Sequence, residues 1–449
     1  MTTAGEQTRA AQHENNYFYS PGTQFRPPPP RVAFNDIWSP PRHDILSKWI
    51  SDVDVHDSPV LPLLKDHFWQ GDPYMDPVVE HFRSIGMAKG RAMLDRALDN
   101  GIDAVPEAPP ELVELFRHLD SPPEWYDAEL WERGRQLWNN TSMSARVAMG
   151  VQDAMGTFVG SEVSTATGIT GRFVADLVRR NAETSRWFYQ VTKPSSLQRY
   201  SAGFKETIRV RMMHSQVRLA IMDTWNAEDY AQHGNPISTA MTMIAGTTFG
   251  LIPILIDDRY GRAATWDQIE AVTHYWSYIC YVFGVAPEII PQNATEALAV
   301  MNYGVATAGG PTKWTLTMVS AAVDSLDQMT GFRGAAARAA VRPAMGVVAF
   351  FSGEPLVRAL LRGTTYEQVK LEPWRTLTGL FVRAEVALRR FGDTLPGREL
   401  RRRRAARRGD TYERIAAAFA RAQARKAGIA TDYTQHDRPK VSGCPVLHG

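Results

Sequence analysis

From about Asp44 onward, apolar side chains return at every third and fourth residue, and few stretches alternate strictly between apolar and polar. That period commits the chain to helices rather than sheets. Residues 77–98, 110–118 and 128–138 follow it, and Pro- and Gly-rich breaks at 105–110 and 121–123 separate the runs. The expected fold is therefore all-α: a multi-helix single domain over residues 44–395, flanked by flexible arms. Residues 1–43 form a proline-rich arm, because the run from Pro27 to Pro30 favours extended backbone and cannot join a helix. Residues 396–449 read as a basic linker, a helix from about Asp410 to Ala427, and a flexible tail.

The 50 Lys and Arg residues almost balance the 48 Asp and Glu residues, leaving a formal charge of +2. No global field points to nucleic acid. Charge is concentrated locally, however: from Arg398 to Arg408 there are seven arginines against one glutamate. That run reads as a solvated helix face and linker or, more sharply, as a surface for acidic lipid, in a peripheral membrane contact, or for a protein partner. Cys280 and Cys444 are the only cysteines, so neither a disulfide framework nor a Cys-rich zinc site is available. With no apolar signal segment near Met1, a cytoplasmic location is expected. From Pro236 to Ile256 the chain carries 21 uncharged residues, about the length of a membrane span. Gly246, Gly250 and Pro253 interrupt it, several threonines dilute it, and no Lys or Arg cluster flanks it. A buried core helix, not a transmembrane span, is the reading that follows.

Several catalytic signatures are missing: His-Glu-x-x-His, Cys-x-x-Cys, the P-loop, the dinucleotide fingerprint and the paired Glu-x-x-His of di-iron bundles. Chemistry concentrates instead in the segment KETIRVRMMHSQVRLAIMD, residues 205–223. Helical spacing puts Thr207, Val210, Arg211, His214, Val217 and Arg218 on one face, while Ile208, Met212, Ser215 and Leu219 make the other flank mostly apolar. A helix apolar nearly all round is buried, so Arg211 and Arg218 need anions. Carboxylates from neighbouring helices would serve, with His214 a hydrogen-bonded core residue. A haem would serve as well, its propionates paired with the arginines and its iron bound by the imidazole.

Two further segments supply candidate carboxylates. Between Ala154 and Gly171 the one charged residue is Glu162, among small side chains, where burial would raise its pKa towards that of a general acid or base or where it would pair with Arg172 or Arg211. From Val174 to Val191, Arg180, Glu183, Thr184 and Trp187 share a helical face, which by default is a partly exposed helix with a local ion pair.

The pattern Thr207, Val210, Arg211, His214 resembles the Thr-x-x-Val-Arg-x-x-His of a haem-dependent oxygenase family that includes the latex-clearing rubber oxygenases and the mycophenolic-acid-pathway oxygenase. The stretch Pro122-Pro123-Glu124-Trp125-Tyr126-Asp127 with Arg133-Gly134 is similar to a second family motif. So is the run His274-Tyr275-Trp276, Val282-Phe283-Gly284-Val285, Ile290-Pro291 and Thr295-Glu296-Ala297. The resemblance covers about Asp44 to Met301 and weakens beyond. It implies a helical fold with a globin-related core, haem b held by His214 with Thr207, Arg211 and Arg218 as cofactor-binding neighbours, and O2 chemistry on the opposite iron face. By the same resemblance the distal residues are Arg180, Thr184 and a glutamate that falls near Glu162. The position of the family's iron-capping lysine carries Glu183. The expected partners are O2 and a lipophilic, isoprenoid-like or alkene-bearing small molecule. The alternative is a non-catalytic haem-binding or gas-sensing protein, for which Cys444-Pro445 near His448 is a weak pointer.

Overall fold

The computed structural model of the protein describes residues 25–30, 35–50, 58–159, 177–328, 331–397, 400 and 411–426. Its elements are α1 (Asn35–Leu46), α2 (Val60–Asp66), α3 (Met75–Ile85), α4 (Met87–Asn100), α5 (Pro110–Leu119), α6 (Ala128–Asn139), α7 (Met143–Val159), α8 (Leu177–Val191) and α9 (Ala202–Met222). There follow α10 (Ala227–His233), α11 (Thr239–Arg259), α12 (Trp266–Phe283), α13 (Ala294–Ala306), α14 (Lys313–Gln328), α15 (Gly331–Ser352), α16 (Glu354–Leu361), α17 (Trp374–Thr394) and α18 (Thr411–Lys426). Among the described residues there is no strand, as the apolar period required.

Local chemistry sets the boundaries. The Asp127 carboxylate accepts from the Glu129 and Leu130 amides to start α6, and the Ser201 and Ser238 hydroxyls accept from Phe204 and Met241 to start α9 and α11. Thr265 and Gln268 close a capping box on α12. That helix stops at Gly284, whose φ of 97° lies in the left-handed region that a side chain resists.

The core is built around α11 and α12. Along α12, Ala271 through Val282 are all buried. Gly134 lets α6 lie directly on it, for a Cβ there would run into the Ala271 carbonyl. One apolar cluster runs from Leu46 to Val386, and a smaller one joins Met155 to Leu356 and Val357. By length and composition α11 is apolar enough to cross a membrane, but 72% of its most apolar window is buried inside the fold. It is the core helix the threonines and glycines suggested, running unbroken through Pro253.

The described part of the proline-rich arm is docked: the Arg26 amide donates to Asp66 at 2.8 Å and the Trp69 indole donates to the Pro27 carbonyl at 2.7 Å. Proline lacks an N–H but keeps its carbonyl, which here satisfies a buried indole. Helix begins already at Asn35, with Pro40 and Pro41 inside it. At the other end, α18 begins at Thr411 and packs on α8 through Ala182, Ala420 and Ala424.

Candidate functional site

Helix α9 is buried along most of its length, and His214, half-buried, stands at its middle with Arg211, Met212, Ser215 and Arg218 buried around it. The Phe283 ring meets the imidazole edge-on, 5.2 Å between centroids. Phe283 in turn touches Trp187 of α8 at 5.4 Å, and Trp187 touches Phe188 and Trp276. The wall beside His214 is therefore aromatic. The connection 192–201 turns the chain back so that α8 and α9 lie side by side, joined by an Arg186–Glu206 ion pair at 2.5 Å. One turn before Trp187 on α8, Glu183 is buried and Thr184 half-buried. Arg180 is on the same helix, its side chain outside the described residues, and Glu162 lies outside them altogether.

The buried arginines find their anions in the protein itself. Asp72 takes Arg211 in a two-pronged grip, Nε to Oδ2 at 2.5 Å and Nη2 to Oδ1 at 2.7 Å. Arg211 also donates to the Val282 carbonyl. Asp76 accepts from Arg218 and, at 2.5 Å, from the Ser215 hydroxyl, while Arg218 spends its remaining donors on the Ile237 carbonyl at 2.8 and 3.2 Å. The Asp72 backbone amide reaches Asp76 Oδ2 at 3.1 Å, tying the two pairs together. Gly284 makes room: a Cβ there would strike both Asp72 and Arg211. Burial by itself would raise the Asp72 carboxyl, but the charge and hydrogen bonds of Arg211, helped by Arg218, hold it below the ordinary range. Burial pushes Asp76 up to about 6, against the pull of Arg218 and with the push of Asp72.

Buried guanidinium needs an anion, which neighbouring carboxylates or haem propionates could supply; Asp72 meets that need for Arg211 and Asp76 for Arg218. Thr207, expected at the cofactor, accepts from the Trp187 indole at 3.0 Å and donates to the Gly203 carbonyl at 2.7 Å, which makes it the support of the aromatic wall. The segment Gly71-Asp72-Pro73-Tyr74-Met75-Asp76 carries two acids four residues apart at a helix start. Set against two arginines seven apart on a buried helix, that spacing was the signal for the network.

Two Glu and His residues spaced four apart, Glu114 with His118 and Glu270 with His274, belong to the scaffold. Glu114 pairs with Arg117, and His118 stacks on Tyr74 at 4.0 Å. Glu270 accepts from the Ala294 amide, and the His274 ring meets the Asp127 backbone at 3.0 Å. Among the described residues no group of three His, Cys, Asp or Glu side chains is arranged to hold a bare metal ion.

Fold and site together define an all-α protein with a single half-buried imidazole on a buried helix against an aromatic wall, and a globin-related core is consistent with that architecture. The family described as "ER-bound oxygenase mpaB/B'/Rubber oxygenase, catalytic domain" matches residues 143–388, more than half of the chain. The protein belongs to that oxygenase family, as the motifs around His214 indicated. The match runs well past Met301, where the motif resemblance faded, and begins after the Pro122–Asp127 motif. The solved structure of latex clearing protein LCP in the closed state superposes with a TM-score of 0.51 at 16% identity, covering 79% of this chain and 91% of that one. At that identity the likeness is one of fold. No curated protein sequence matches the chain.

Proposed function

We propose that the protein is a haem b-dependent oxygenase, with His214 as the residue that would hold the haem iron, acting with O2 on a lipophilic small molecule that carries a C=C bond. The observation that carries this reading is the position of His214: a half-buried imidazole on a family-matched helix, its neighbours committed to other partners. The donor set fits. A macrocycle that brings four nitrogens needs one imidazole from the protein, and His214 stands on the family-matched helix for that role. Thr207, Arg211 and Arg218 are proposed to line the cofactor site beside it, the two arginines held in place by Asp72 and Asp76.

When bound, haem supplies a reducible iron that activates O2 for oxidative cleavage of a double bond or oxygen insertion. The rest falls to the chain. His214 would hold the haem iron through a ring nitrogen, with Phe283, Trp187 and Phe188 forming an apolar wall beside it. Thr207 fixes the Trp187 indole, and so the wall. Glu183 or Glu162 acts as general base towards the substrate, with Arg180 and Thr184 steering charge beside it. A cytoplasmic setting completes the proposal.

The test is an absorption spectrum of the purified protein before and after dithionite. Haem bands that disappear in His214→Ala while the helical circular dichroism persists support the assignment. Bands unchanged in that variant remove it.

A further inference from the structure

Helix α17 is apolar on two opposite faces. Gly379, Val382 and Val386 are buried and attach it to the fold, with α15 packed alongside. At 100° per residue, Leu377, Leu380, Phe381, Ala384, Leu388, Phe391 and Leu395 fall in a stripe about 100° wide on the other side. That stripe faces solvent: Leu380 is 59% exposed, Phe381 53%, Leu388 71% and Phe391 63%. A solvent face of this length is ordinarily polar, and contiguous apolar patches beyond a few hundred Å² mark interaction sites.

The charges show what the stripe meets. Arg383 and Arg390 flank it on one side and Arg389 on the other, about 110° to 130° from its centre. Arg383 and Arg390 form no ion pair among the described residues, while the helix's acids are engaged: Glu385 with the Met143 and Ser144 amides, Asp393 with Arg262. Three residues beyond Leu395 the sequence enters the seven arginines between Arg398 and Arg408. An apolar stripe edged by cations, which can bury their stems and lift their heads to phosphate, is the design of a helix lying in a bilayer interface. A second copy of the same surface would bring the same arginines together and meet repulsion.

We propose that α17 is a peripheral membrane-docking surface for anionic phospholipid, laying its Leu and Phe side chains among acyl chains with its arginines at the headgroups. A membrane-seated enzyme would take lipophilic substrate from the lipid rather than from water. The docking stands independently of the haem assignment.

The experiment is co-sedimentation of the full-length protein with phosphatidylcholine vesicles, with and without phosphatidylglycerol. Binding is expected to the anionic vesicles, to weaken with salt, and to fall by about tenfold or more in Leu388→Glu/Phe391→Glu and in Arg383→Gln/Arg390→Gln. All four side chains are exposed, so thermal unfolding should change little, and the arginine pair serves as the control if the first variant folds poorly. No sedimentation with anionic vesicles, or sedimentation of both variants at the wild-type level, overturns the proposal. So does a wild-type dimer, by sedimentation velocity, that Leu388→Glu/Phe391→Glu converts to monomer, since that places a second copy on the stripe.

Discussion

Asp72, Asp76, Arg211 and Arg218 lie with side chains at most 5% exposed, each charge facing its opposite. Such pairs contribute little net stability when intact, but half of one leaves a desolvated charge. Asp72→Ala should therefore cost about 3–5 kcal/mol in urea unfolding, with the slope against denaturant unchanged. Asp72→Leu combined with Arg211→Met should recover most of that loss, since it removes the charge along with its partner. A second residue-scale effect belongs to His118. Burial, then the field of Arg211, pushes its imidazole down to about 3 from the ordinary 6.5. Between those values the unfolded chain binds a proton that the folded protein does not, so stability is full above pH 6.5 and declines as pH falls towards 3. The slope is at most about 1.4 kcal/mol per pH unit, less what solvent screening removes. His118→Phe should flatten the fall in thermal midpoint between pH 6.5 and 4.

Helices communicate here by close approach. Gly134 of α6 rests against the backbone of α12, and backbone cannot step aside as a flexible side chain can. Gly134→Ala should force the pair apart and destabilise by about 1–3 kcal/mol in the same assay, and Gly134→Val by more. Because α12 carries Phe283 at its end, the larger change should also shift any absorbance band that depends on the His214 surroundings. Helix α8 is where catalysis is proposed. With Glu183 buried on it and Glu162 on the preceding segment, Glu162→Gln and Glu183→Gln compared side by side should show one variant losing about 10²- to 10⁴-fold in turnover at unchanged haem content. Full activity in both would end the carboxylate mechanism.

One apolar cluster links α1 to α17, so unfolding and cofactor loss are expected to be coupled across the whole molecule. A ligand held only by the folded chain raises stability by about 2.7 kcal/mol at a hundredfold excess over its dissociation constant. Added haem should accordingly raise the melting temperature of the wild type and leave His214→Ala unmoved, a result readable by calorimetry without turnover. At this scale α18 also matters: it covers Ala182 of α8, so chain outside the family match buttresses the helix that carries Arg180, Glu183 and Thr184.

Much was legible in the amino-acid order because it follows from periods and nearby spacings. The all-α class came from the return of apolar residues at three and four, and the burial of the 205–223 helix from its apolar circumference. The core role of the uncharged stretch came from its threonines and glycines, and the family from residues clustered around His214. What sequence could not decide was partnership across long separations. That Arg211 needed an anion was plain; that Asp72, 139 residues away, would supply it was not, because a propionate and a carboxylate answer the same electrostatic demand. Tertiary structure alone supplied Asp72, by bringing the start of α3 under α9. It likewise turned the two apolar faces of α17 to different fates, one into the core and one into solvent, which periodicity cannot do because hydrophobicity has no direction until the helix has neighbours.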